Sequence, residues 1–299
     1  MKIRSLSVLT ILSLGLMFTS CGGEKTEEAD SPKVEAPKDT TTTEEIVDVD
    51  DEFESEDESA QLPSALQVAS VLESSGLTYV EGLTHDISKQ SSYASQSEKS
   101  LNFGVYSADM AYCVMNEKYN EIGDMMGAVR NLGSETGLGT IFNSEDLLDR
   151  FESNKTNKDS IISVLLDINF RTESILEEDK SAREAATIHF TGAWIEGMYL
   201  GAKTYDQTHE ARLGYMLVEQ MNVLDRILIN LEKNSLKDDL LTNVESDLNN
   251  LRNTFKNFGS VVATLESEDG YYTAPELTEE ELATLSEHIF ALRTKIING

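Results

Sequence analysis

AATIHFTGAWIEGMYLGA (residues 185–202) holds one formal charge, Glu196, in eighteen residues, and its apolar side chains follow no single stripe. A segment apolar all round is a helix buried in the middle of a bundle. A second stretch, LNFGVYSADMAYCVMN (101–116), has the same character and also holds one formal charge, Asp109. The two share the pattern N/H-F-x5-D/E-x2-Y: Asn102, Phe103, Asp109 and Tyr112 in one, His189, Phe190, Glu196 and Tyr199 in the other. That pattern hints at an internal duplication, and chance similarity between two buried helices accounts for it equally well. Ala193, Gly197 and Gly201 lie four apart and leave one face of the second segment without bulk, so another helix can approach it closely.

Around these two segments the apolar spacing is three and four from Leu62 onward, and Pro occurs there only at 63 and 275. An all-α fold follows, a multi-helix bundle of about eight or nine helices. Pro63 suits a first helical turn and Gly76 with Leu77 a glycine cap, giving a short helix near 63–74. Thr84 is placed to cap a helix running to Asn116. Asn143, with Asp146 three residues on, reads as an N-cap, and Phe142 as a staple against Leu147. Further helices are expected at about 158–177, 181–204, 209–232, 236–258 and 278–297, the last opened by Thr278 and Glu281. Leu241, Val244, Leu248, Leu251, Phe255 and Phe258 form a seam that needs a partner. Leu217, Met221, Leu224, Leu228 and Leu231 of the preceding helix supply it across the turn Asn234-Ser235, as an antiparallel hairpin.

The chain has 299 residues, 54 acidic against 24 basic, a formal charge of −30. Such a field opposes nucleic-acid phosphates, so nucleic acid is excluded as a partner. With 39% hydrophobic residues the chain can still bury a sizeable core. Residues 22–60 hold Pro32, Pro37, the run Thr40 to Thr43 and the block DVDDEFESEDE (48–58). Almost no large apolar side chains interrupt them, and a disordered acidic tether is expected, with a reach of about 35 Å. The organisation is therefore 1–20 signal peptide, 21–60 acylated N-terminus and linker, and 61–299 helical domain.

The first residues act as an address. Lys2 and Arg4 precede a largely apolar run from Leu6 to Phe18, then Thr19, Ser20 and Cys21, the layout of a secretory signal. Thirteen residues cover about 20 Å of helix, short of the roughly 30 Å of a bilayer core. Phe18-Thr19-Ser20-Cys21 resembles the lipobox of bacterial lipoproteins, with Phe18 standing where Leu is usual. The resemblance implies lipidation of Cys21, whose acyl chains would be the membrane contact, since two or three chains anchor stably. It further implies an outer-membrane destination, because Gly22 stands where enteric-type lipoproteins kept at the inner membrane carry Asp. Glu24, Glu27 and Glu28 resemble the surface-export signal of Bacteroidetes-type lipoproteins. The domain would then face the periplasm or the cell surface. LPSALQVASVLESSGLTY (62–79), LNFGVYSADMAYC (101–113) and GAWIEGMYLGAK (192–203) resemble an uncharacterised group of helical lipoproteins from such bacteria. That resemblance implies compartment and helical fold and carries over no catalytic residue.

A carboxylate inside a buried helix is costly unless paired, so Asp109 and Glu196 are the places to look for a site. On helix geometry His189, Gly192, Glu196 and Tyr199 share a face, as do Tyr106, Asp109 and Tyr112. If those faces meet, they could line a polar pocket for a small ligand or cation. The competing reading makes the acids structural, bonded to Tyr, Ser or Arg partners. His85, His189, His209 and His288 fall into no metal-binding spacing, so neither metal nor cofactor is expected. Cys113 reads as a buried, inert thiol and Trp194 as core packing. No P-loop, GxSxG or dinucleotide fingerprint appears, and GLG (137–139) reads as a loop between helices. The leading expectation is a non-enzymatic binding or envelope-structural component with an outer-membrane or envelope protein as partner. A small-ligand sensing module and a hydrolase of unfamiliar type are the alternatives.

Overall fold

A computed structural model describes residues 62–265 and 275–299; Cys21 and the stretches expected to be signal peptide and tether lie outside the described residues. Among those residues the structure is all-helical: α1 Ala65–Ser74, α2 Gln96–Met115, α3 Tyr119–Glu135, α4 Gly139–Phe142, α5 Glu145–Asn154, α6 Lys158–Glu178, α7 Lys180–Thr208, α8 Ala211–Glu232, α9 Asp239–Lys256, α10 Gly259–Leu265 and α11 Glu279–Asn298. Nine of these have ten residues or more, the number expected from the apolar spacing.

Cap chemistry sets the boundaries, and it corrects several of the expected starts. Pro63 stays outside α1, whose N-cap is Ser64 in a capping box with Gln67. At the other end Leu77 N–H bonds the Leu72 carbonyl and Gly76 N–H that of Glu73, both at 3.0 Å, with Gly76 at φ +104°. That is the left-handed glycine termination, with Leu72 and Leu77 both buried beside it. Thr84 does not open α2; Ser95 does, in a capping box with Glu98. Residues 77–95 instead form a strap with one 3₁₀ turn, Ile87–Lys89. Asn143 ends α4 rather than opening α5, because its side chain is engaged by Arg130 Nε and Ser134 Oγ, and Ser144 takes the N-cap position. His209 does not begin α8: it terminates α7 in the left-handed conformation, φ +51°. Gly139 of the GLG run opens the one-turn α4, and α3 was not expected at all.

α2 and α7 form the centre. Gly104 of α2 faces the His189 carbonyl and Ala193 nitrogen, while Gly192 of α7 faces the Leu101 carbonyl. A Cβ on Gly104 would fall 1.9 Å from the His189 oxygen, and one on Gly192 2.0 Å from that of Leu101. No larger residue fits at either position, so the two backbones touch. Partner numbers rise together from this crossing to Asp109 and Glu196, so the helices run parallel. Gly197 and Gly201, the small residues expected to admit a neighbour, receive Val68 and Leu72 of α1 and Leu217 of α8.

The other helices dress this pair in two similar sets. α3 folds back on α2 as α8 folds back on α7; α5 pairs with α6 as α9 pairs with α11. α6 reaches α7 as well as α2, and α11 reaches α2 as well as α7. Asn102 and His189, Phe103 and Phe190, Asp109 and Glu196, Tyr112 and Tyr199 are each 87 residues apart. That spacing brings Asp109 to Glu196 across the interface, which gives the repeated sequence pattern a structural counterpart. The α8–α9 seam closes as an antiparallel hairpin, with Asp225 meeting Arg252 and Lys256. One apolar cluster fills the space among α1, α7, α8, α9 and α11 with Leu101, Val105 and Tyr112 of α2, and a second lies among α2 to α6.

Candidate functional site

Asp109 and Glu196 meet carboxyl to carboxyl in the α2–α7 interface, and both residues are 0% exposed. Arg293 of α11 reaches them from the side. Its Nε donates to Glu196 Oε2 at 2.9 Å and its Nη2 to Oε1 at 3.1 Å, while the guanidinium lies 4.3 Å from the centre of the Tyr199 ring. A bidentate pair is the strongest form such a contact takes. Asp109 Oδ2 accepts the His85 backbone N–H at 2.7 Å, and Oδ1 has no donor aimed at it.

Two carboxylates and one guanidinium leave an excess negative charge in a dry site. Burial pushes Asp109 well above the usual carboxylate range, and the adjacent Glu196 charge pushes it further. Glu196 is raised by burial and pulled back by Arg293. Asp109 is therefore the acid that keeps its proton, and Oδ1, the oxygen without a donor, is the atom that carries it toward Glu196. Burial works against the charge on Arg293, and Glu196 outweighs it, so the guanidinium stays protonated. The resting state is a neutral Asp109 donating to an ionised Glu196 held by a cationic Arg293.

The tyrosines face the strap. Tyr112 Oη donates to the Thr78 carbonyl at 2.9 Å and accepts the Val80 N–H at 2.6 Å; Tyr106 Oη donates to the Asp86 carbonyl at 2.8 Å. Arg293 Nη2 reaches the Leu83 carbonyl at 3.5 Å. His85 turns inward, its Nε2 2.6 Å from Tyr93 Oη and its ring stacked at 5.1 Å on Tyr106. Burial, with Arg293 nearby, pushes the His85 imidazole down to about 4, so it is neutral. Tyr93 and Tyr112 are pushed up to about 12 by burial. Side chains of α2 and α11 thus fasten the backbone of residues 78–86 from beneath, over the acid pair.

Five of the six residues expected to converge do so: Asp109, Glu196, Tyr106, Tyr112 and Tyr199. His189 does not, because seven residues of helix place it about 10 Å from Glu196 along α7. Its ring packs 4.6 Å from Phe103, its Nε2 has no partner, and burial pushes it down to about 3. Arg293, His85 and Tyr93 were not anticipated. Arg293 carried a faint signal, as one base between Ile289, Leu292 and Ile296 on the apolar side of its helix. The fastening by backbone of the strap carried none.

The void beside Tyr112 is a cavity of ≈ 10 Å³ bounded by Val68, Leu72, Leu77, Ala108 and Gly197. That is about the least space that holds one water, and its walls are apolar. Among the described residues no group of three His, Cys, Asp or Glu side chains is placed to hold a metal ion. Cys113 is buried, its thiol pointing at Glu121 and raised by burial, a state in which it is a poor nucleophile. No family model matches this chain, and comparison with curated proteins and with solved structures finds no match.

Proposed function

We propose that the chain is a lipid-anchored extracytoplasmic lipoprotein whose helical domain acts as a non-enzymatic binding or envelope-structural component. The observation that carries the reading is the order Lys2, Arg4, the apolar run Leu6–Phe18, and Thr19-Ser20-Cys21-Gly22. Acyl chains on Cys21 supply the membrane contact, and Gly22 favours the outer membrane. Among the described residues no helix is long and apolar enough to cross a membrane. The engagement of both buried acids by Arg293 and by strap backbone supports a scaffold built for rigidity. Its partner is an outer-membrane or envelope protein.

The test is metabolic labelling with an alkyne palmitate, followed by envelope fractionation. The wild-type chain takes up label and sediments with outer membrane, and Cys21→Ser is unlabelled and released. Label persisting in Cys21→Ser overturns the anchor. Cross-linking in intact envelopes, read by mass spectrometry, tests the partner, and recurrent capture of one envelope protein is the expected result.

A further inference from the structure

Residues 77–95 make an unusually long connection for a helical domain, with one 3₁₀ turn as its regular structure, and long loops of this kind are commonly lids or binding loops. Leu77, His85 and Tyr93 are its buried anchors, eight residues apart, and most of what lies between them is exposed or half-buried. Around the middle anchor the bundle makes three bonds, Arg293 Nη2 to the Leu83 carbonyl, His85 N–H to Asp109 Oδ2 and Tyr106 Oη to the Asp86 carbonyl, and only the second ends on a carboxyl group. We propose that Asp109 and Glu196 form a one-proton latch that fastens this strap to the bundle, and that losing the proton as pH rises releases it. The inference is independent of the lipid anchor.

Counting charges makes the case. The groups facing Asp109 are Glu196 and Tyr199 from α7, Arg293 from α11, and His85 and Tyr93 from the strap, while Asp86 and Lys89 of the strap act on His85. Its own helix adds Tyr106, Tyr112 and Cys113, and Glu121 of α3 stands behind Cys113. α1 presents Ala65, Val68, Ala69 and Leu72 toward this region, none of them titratable. Arg293 is the one cation that reaches into the set, and its Nε–Nη2 edge is committed to Glu196, with Nη2 also facing the Leu83 carbonyl. While Asp109 is protonated, each strong bond has its donor and acceptor. Once it ionises, two carboxylates face one another with the charge of one guanidinium between them.

The repulsion cannot be relieved by parting the helices, because the Gly104 and Gly192 backbone contacts lock α2 against α7 a little over one turn away. Relief comes where the structure is weakest. Asp109 swings toward water, the His85 N–H loses its acceptor, and the middle of the strap lifts. The pins from Tyr112 to Thr78 and Val80 and from Tyr106 to Asp86 carry no charge near neutral pH, so the opening is confined to the stretch between them.

The experiment follows the His85 amide by hydrogen exchange in the mature chain from pH 6 to 9.5, corrected for the intrinsic base-catalysed rate. The wild-type protection factor is expected to fall about tenfold per pH unit, the slope of one released proton, as pH climbs from the ordinary carboxyl range to the raised value of the closed latch, and to level off above it. In Asp109→Asn the amide oxygen still accepts from His85 and the amide N–H still donates to Glu196. This variant carries a donor hydrogen that does not ionise, and its protection stays flat. Glu196→Gln leaves one acid for one cation and is expected to be flat as well, so the comparison stands even if one variant folds poorly. Wild-type protection that is flat over the range, or a parallel fall in the folded variants, overturns the latch.

Discussion

Replacing Arg293 by Met keeps an unbranched apolar stem and removes both the guanidinium over Tyr199 and, among the described residues, the cation paired with Glu196. The Arg293 side chain is 11% exposed and the Glu196 side chain 0%, so little solvent screening softens the loss. Breaking a buried pair by deleting one partner costs about 3–5 kcal/mol, because the other charge stays behind. With an unfolding slope of about 2.5 kcal/mol per molar urea, a loss of about 4 kcal/mol lowers the midpoint by about 1.6 M. The deficit depends on pH in a stated sense. Burial already raises Glu196, and without Arg293 nothing pulls it back, so its folded value rises further above the ordinary value of about 4.3. A carboxyl raised in the folded state stabilises fully below its unfolded value, and that stability is lost as pH climbs through the folded value. The midpoint difference from wild type is therefore small at pH 4.5 and full at pH 8. Trp194, the single tryptophan and wholly buried two residues from Glu196, reports the transition by fluorescence. Adding Glu196→Gln to Arg293→Met should recover most of the loss at pH 8. A midpoint shift under about 0.3 M, an equal shift at both pH values, or a double variant as unstable as the single would refute the reasoning.

Gly104→Ala and Gly192→Ala each push a methyl into a backbone carbonyl, and each is expected to lower stability by about 3 kcal/mol or to abolish folding, read by urea midpoint and circular dichroism. Gly127→Ala, where a Cβ meets nothing within 4 Å, is the control and should be neutral or slightly stabilising. Tyr112→Phe removes the donor to Thr78 and the acceptor for Val80 N–H at a cost of about 2 kcal/mol, with hydrogen exchange accelerated at residues 78–80 before the rest of the chain.

The long helices were legible because their sequences repeat at three and four over many turns, and Thr278 with Glu281 announced α11 by cap chemistry alone. α3 was missed because Gly123, Gly127 and Gly133 punctuate it, which reads locally as turn, although Ile122, Met125, Met126, Val129 and Leu132 keep a helical spacing. Gly133 is there to make room for Phe103 and Phe142, a reason visible only in three dimensions. The start of α2 was placed eleven residues early at Thr84, since nothing local distinguishes a strap fastened by side chains of α2 and α11 from the first turns of a helix. Asp109 and Glu196 stood out because a charge in an otherwise apolar helix needs a reason. Their partner did not, because Arg293 lies 97 residues beyond Glu196, in a helix whose other features explain themselves. His189 shared the face of Glu196 on a helical wheel, yet angular agreement says nothing about distance along the axis.

The parallel contact of α2 and α7 also bears on how the chain is made. α2 ends at Met115 and α7 begins at Lys180, so the mate for the most apolar surface of the first half leaves the ribosome dozens of residues later. At about 5–20 residues per second that is a wait of seconds, far longer than a helix needs to form. During it the Gly104 groove, Leu101 and Val105 have no proper cover, and α3 alone cannot supply one. The Gly104–Gly192 contact therefore closes only when the second central helix has arrived.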